Sequence, residues 1–147
     1  MKGNPRRRAR ELVLQGLYER QLAGSPPATI AGDLAASTGY RRADQGYFDA
    51  LWSGVVGDYE ALVARLAPHL DRAPGALSPI ERGVLVIGAW ELVHRPEIPY
   101  RVVINEAVDI AKEYGGTDGH KFVNGVLDKL ASDVRAQEVA AFARERG

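Results

Sequence analysis

The chain contains no cysteine in its 147 residues. Disulfides, thiolate nucleophiles and cysteine-built zinc sites are therefore excluded. Net charge is also missing, because 19 lysines and arginines balance 19 aspartates and glutamates. No global field draws the molecule to a polyanion, so any nucleic-acid binding must come from local clustering. No apolar run approaches the roughly 20 residues needed to span a bilayer. The basic N-terminus leads into a helix carrying Glu11, Glu19 and Arg20, not into the unbroken apolar core of a secretion signal. The sequence predicts a soluble protein that stays where it is made, in the cytoplasm. A hydrophobic content of 46% is too high for general disorder and suits one compact domain or two small subdomains.

What is present is helical periodicity. Strand alternation and internal repeats are both absent, so the expected fold class is all-α. Met1 to Pro5 reads as a short arm, with Pro5 suited to a first helical turn. Over residues 6–23, Ala9, Leu12, Val13, Gly16 and Leu17 share one face. Arg7, Leu14 and Tyr18 fall opposite, with Arg10 at the margin. Gly24-Ser25-Pro26-Pro27 ends that helix. Residues 28–37 form a short helix through Ile30 and Leu34, broken by Thr38-Gly39. Tyr47, Leu51 and Val55 mark a helix over 44–57, and Leu62, Leu66 and Leu70 another over 58–70 that Pro68 shortens or bends. Pro74-Gly75 is the linker candidate, giving an N-terminal bundle over 1–74 and a C-terminal bundle over 75–147. Ser78-Pro79-Ile80-Glu81 is a strong helix start, with a capping serine, a first-turn proline and an acid where a capping box places one. That helix should stop near Arg95-Pro96, and residues 134–146 look like a last helix.

The chain is organised around Pro99 to Leu130. Val103, Ala107, Ile110, Ala111 and Tyr114 make one helical stripe, and Val123, Val126, Leu127 and Leu130 make a second. Between them, Gly115-Gly116 is expected to supply left-handed backbone, and Thr117 or Asp118 to cap the second helix. Opposite the second stripe lie Asp118, Lys121 and Gly125, with Phe122 at its edge. A cation, a ring and a glycine beside a helix start can meet something flat and anionic. A mid-helix glycine also fits close packing against a neighbouring helix, the more ordinary explanation for Gly125.

The densest charge feature is Arg6-Arg7-Arg8-Ala9-Arg10. Cations at a helix N-terminus oppose the macrodipole by ~0.3–1 kcal/mol, so helix stability does not account for them. Tyr18 shares a face with Arg7, giving the basic and aromatic mixture that single-stranded RNA binding uses. Lys121 and Phe122 would form the second half of such a surface, and Asp118 could accept a hydrogen bond from a base edge. An enzymatic reading fares badly. Glu106, Asp109 and Glu113 recur on one helical side, yet no Glu-x-x-His partner accompanies them. No phosphate loop, nucleophile elbow or triad can be assembled. Neither metal nor cofactor is expected. Asn105 and Asn124, beside the apolar stripes, are read as structural.

GTDGHKFVNGVLDKL preceded by PYRVVINEAVDIAK, together with LSPIERGVL upstream and RRRAR near the N-terminus, resembles the NusB family of bacterial transcription antitermination factors. The resemblance implies two packed three-helix bundles forming one compact domain and no enzymatic activity. It implies binding to boxA RNA of ribosomal-RNA leader transcripts together with the ribosomal protein NusE, and joining other Nus factors on RNA polymerase so that elongation passes terminators. RNA contact carries over to Arg6, Arg7, Arg8, Arg10, Tyr18, Asp118, Lys121 and Phe122, and partner contact to Glu81. The arginine helix and the Lys121 segment would then form one cradle. Some members self-associate over the RNA surface, so a homodimer is also compatible. Gly119 stands where the family commonly has serine. The alternatives are an accessory RNA-binding domain of an rRNA cytosine methyltransferase, which would be expected to come with a further cofactor-binding domain, and a purely protein-binding helical adaptor.

Overall fold

The computed structural model describes residues 4–116 and 118–146, and among these every regular element is helical. Most of the expected N-terminal arm and the alternative cap Thr117 lie outside the described residues. The chain divides into two compact units, one ending at Tyr59 and the other beginning at Glu60.

The first unit is built from α1 (Pro5–Ala23), α2 (Pro27–Ala35), α3 (Thr38–Arg42) and α4 (Gln45–Gly57). Asn4 caps α1, its Oδ1 accepting from the Arg7 amide at 2.6 Å, and Gly24 ends it in the left-handed conformation at φ 70°. Asp44 caps α4 in the same way, accepting from the Tyr47 amide at 3.0 Å. Gly16 permits α1 to approach its neighbours closely. A Cβ there would stand 2.7 Å from the Trp52 ring and 3.0 Å from Leu34. Phe48 stacks on Trp52 at 6.4 Å, and Tyr40 meets Phe48 edge-on. Two expectations are corrected here. Leu14, assigned to the outer face of α1, is buried. Thr38-Gly39 does not break the helical path but opens α3, because the Ser37 hydroxyl closes α2 on the Leu34 carbonyl at 2.6 Å.

α5 (Tyr59–Leu66) spans the division and gives way at Pro68 to a 3-10 turn, Ala67–His69. The second unit's core is α6 (Pro79–His94), α7 (Tyr100–Tyr114) and α8 (Gly119–Val134), followed by α9 (Ala136–Arg146). Ser78 Oγ accepts from the Glu81 amide at 3.1 Å, as the capping pattern predicts. Gly88 lies where a Cβ would meet Leu127 at 2.8 Å, so α6 and α8 pack closely there. The Pro74–Ala76 segment is a 3-10 turn tied to α6, its Pro74 carbonyl accepting from Arg82 Nη2 at 3.0 Å.

Arg135, between α8 and α9, has a buried guanidinium that satisfies the end of α6. It donates to the carbonyls of Leu92 (2.7 Å), Glu91 (3.2 Å), Arg95 (2.9 Å) and Ile98 (3.0 Å), and to Glu138 Oε1 (2.6 Å). The other Glu138 oxygen accepts from the Tyr100 amide at 2.7 Å, satisfying one of the orphan donors at the start of α7. One ion pair thus closes two helix termini.

The turn before α8 departs from expectation. Gly115 is extended (φ −92°, ψ −177°), and Gly24 is the one positive-φ residue among those described. Glycine is required at 115 for another reason: a Cβ would lie 2.7 Å from the Ala111 carbonyl oxygen. Asp118 makes no side-chain cap on α8.

Candidate nucleic-acid interface

In the first unit, the start of α1 carries the arginines on a first turn that contains no acid. Arg6 is exposed, with its guanidinium 4.2 Å from the centroid of the Tyr47 ring and Nη2 3.8 Å from Asp44 Oδ2. The Asp44 amide donates to the Pro5 carbonyl at 2.9 Å, so the cap of α4 is anchored to the start of α1. Arg7 and Arg8 are half-buried. Tyr18 presents 42% of its surface, and Leu22, one turn on, presents 61%. Arg10 differs from its sequence assignment. It is 3% exposed, with its guanidinium 5.7 Å from the Tyr47 ring, so it faces the interior.

In the second unit, the start of α8 carries the other candidates. Lys121 is 74% exposed, with Nζ 3.7 Å from Asp118 Oδ1. The Asp118 carboxylate is therefore turned toward this lysine. Phe122 is half-buried, and the Arg72 guanidinium lies over its ring at 4.6 Å. Arg72 Nε and Nη2 donate to the two oxygens of Asp71 at 2.6 and 3.1 Å. Those bonds hold the Asp71 carboxyl below its usual range and raise Arg72, which Glu81 also favours in its charged form. Glu81 is half-buried against the first residue of α8, where a Cβ on Gly119 would stand 3.2 Å from Glu81 Oε2. A serine in that place would bring a hydroxyl to the carboxylate, a contact this chain lacks.

Gly125 has nothing within 4 Å of where its Cβ would be, so close packing against a helix of its own chain does not explain it. Asn105 and Asn124 are both exposed. Sequence reasoning missed Tyr47, the ring beneath two arginines, and Arg72, which lies between the helix expected over 58–70 and the linker candidate Pro74-Gly75. The Asp-x-x-Tyr spacing from a cap residue marks Tyr47 as a first-turn side chain. No local spacing connects Arg72 with Phe122.

Among the described residues, no group of three or more histidines, aspartates or glutamates is placed to hold a metal ion. The surfaces offer guanidinium and ammonium groups beside rings, with carboxylates interleaved. That set can neutralise phosphates and stack on bases.

A model of the NusB family matches residues 7–132. The chain is 53% identical over 134 residues to the transcription antitermination protein NusB of Thiobacillus denitrificans, covering 91% of this chain and 92% of the relative. Among solved structures, NusB of T. maritima superposes with a TM-score of 0.81 at 26% identity, over 92% of this chain and 97% of that one. A chain from the crystal structure of antitermination factors NusB and NusE in complex with dsRNA superposes with a TM-score of 0.74 at 25% identity, over 86% and 96%.

Proposed function

This chain belongs to the NusB family, and we propose from that premise that it binds boxA RNA of ribosomal-RNA leader transcripts together with NusE. In this reading it has no catalytic step. It works in the cytoplasm as part of an assembly with other Nus factors on RNA polymerase that carries elongation through terminators. The observation that carries the reading is electrostatic. In a chain without net charge, arginines are concentrated at a helix N-terminus where they work against the helix dipole. A polyanionic ligand accounts for such clustering where helix stability does not.

The proposed RNA-contacting set is Arg6, Arg7, Arg8 and Tyr18 from α1 with Asp118, Lys121 and Phe122 from α8. Arg10, being buried, holds α1 against Tyr47 and does not touch RNA. Glu81 is assigned to the protein partner. The solved relative in complex with NusE holds double-stranded RNA. Unpaired bases suit the ring-bearing surface here, because stacking on tyrosine or phenylalanine requires a free base face.

Titration of fluorescent boxA RNA, with and without NusE, against scrambled and duplex controls tests the reading. Preferential binding of single-stranded boxA, strengthened by NusE and weakened steeply by salt, is expected. No detectable affinity with NusE present would leave a protein-binding adaptor. A stable homodimer that RNA dissociates would show self-association over the same surface.

A further inference from the structure

Arg72 lies on the α8 surface without having been assigned to it. Its guanidinium is 4.6 Å from the Phe122 ring centroid, and two of its nitrogens form a fork on the Asp71 carboxylate. Arginine makes this same bidentate geometry with phosphate. The side chains are 43% and 65% exposed, so water screens the pair and competes for it. The ring contact acts differently, because it holds the guanidinium beside Phe122 before any ligand arrives. The third nitrogen, Nη1, donates to no described residue. A preoriented fork filled by a weakly held carboxylate is ready for exchange with a better-matched anion.

We propose that Arg72 binds an RNA phosphate, and that Asp71 occupies its fork in the free protein until the phosphate displaces it. The proposal rests on the reading of the α8 start as an RNA surface, and adds to it a phosphate site with a built-in competitor. On exchange, the Asp71 carboxylate moves into water and the phosphate oxygens accept from Nε and Nη2. The guanidinium remains on Phe122, so the cation stays beside the ring on which a base stacks. Asp71 sets a threshold. A lone phosphate must compete with a carboxylate already in place, whereas a strand engaging Lys121 and Phe122 as well brings contacts that offset the exchange.

A double-mutant cycle on the full chain with NusE and boxA RNA tests this. Arg72→Ala should weaken binding and lower the slope of log affinity against log salt by about 0.7, the share of one single-strand phosphate. Arg72→Lys should keep the slope and recover only part of the affinity, since it restores charge without the fork. Asp71→Asn should tighten binding a few-fold in the wild-type background and lose that gain in the Arg72→Ala background. Melting curves confirm that each variant folds. A wild type that binds RNA while Arg72→Ala matches it in affinity and slope overturns the proposal alone. So does an Asp71→Asn gain that survives undiminished without Arg72, because general electrostatics would then explain it. A wild type with no RNA affinity overturns the underlying reading as well.

Discussion

Individual side chains here divide into those held by the protein and those presented by it. Arg10 and Arg135 are both buried arginines, and Arg135 is held by hydrogen bonds to four carbonyls and to Glu138. Its replacement by methionine keeps most of the volume while leaving the α6 carbonyls and Glu138 without their donor. Arg135→Met should therefore cost about 3–5 kcal/mol, read as a large fall in melting temperature, with Glu138→Gln milder. The presented residues behave oppositely. Lys121→Ala and Arg7→Ala should both weaken RNA binding, and Lys121→Ala, at an exposed side chain, should leave helicity and the melting curve nearly unchanged. Tyr18→Ala should lose roughly 1–3 kcal/mol of stacking that persists at high salt, whereas a lost cation should flatten the salt slope. The Asp71 carboxyl sits below its ordinary range because Arg72 donates to it. Its depressed value means that the ion pair contributes at neutral pH and is lost as pH falls through that lowered value.

At the scale of helices, glycines report what each face meets. Gly88→Ala forces a methyl to within 2.8 Å of buried Leu127 and should destabilise by about 1–3 kcal/mol in a denaturant titration. Gly125→Ala meets open space in an exposed helix interior and should stabilise by about 0.5–1 kcal/mol. Reduced RNA affinity in that same variant would show that a strand passes over α8 there. Helix existence was legible in the sequence because caps and stripes agreed: Ser78 caps α6, and Ile110 with Ala111 faces the core of α7. The turn before α8 was not, because a glycine pair signals a chain reversal without saying which property of glycine is used. At Gly115 the need is close approach of the Ala111 carbonyl, not a left-handed φ. Leu14 was misplaced for a related reason. A helix touched on more than one side buries more than one stripe, and periodicity alone names only the widest.

For the molecule as a whole, charge balance is the governing fact. With 19 groups of each sign, the proposed attraction to RNA must arise from a few clustered contacts, and each phosphate neutralised would add about 0.7 to the single-strand salt slope. The clusters on α1 and α8 were legible because they are local in sequence. The Arg72–Phe122 stack was not, because the chain returns to it from fifty positions away. The proposed function assigns both clusters to RNA contact. Amide NMR of the isotope-labelled protein, titrated with boxA RNA, measures that directly. The account predicts shifts at the start of α1, around Tyr18, at the start of α8 and at Arg72. An absence of shifts at these residues, or equal shifts with a scrambled RNA, would contradict it.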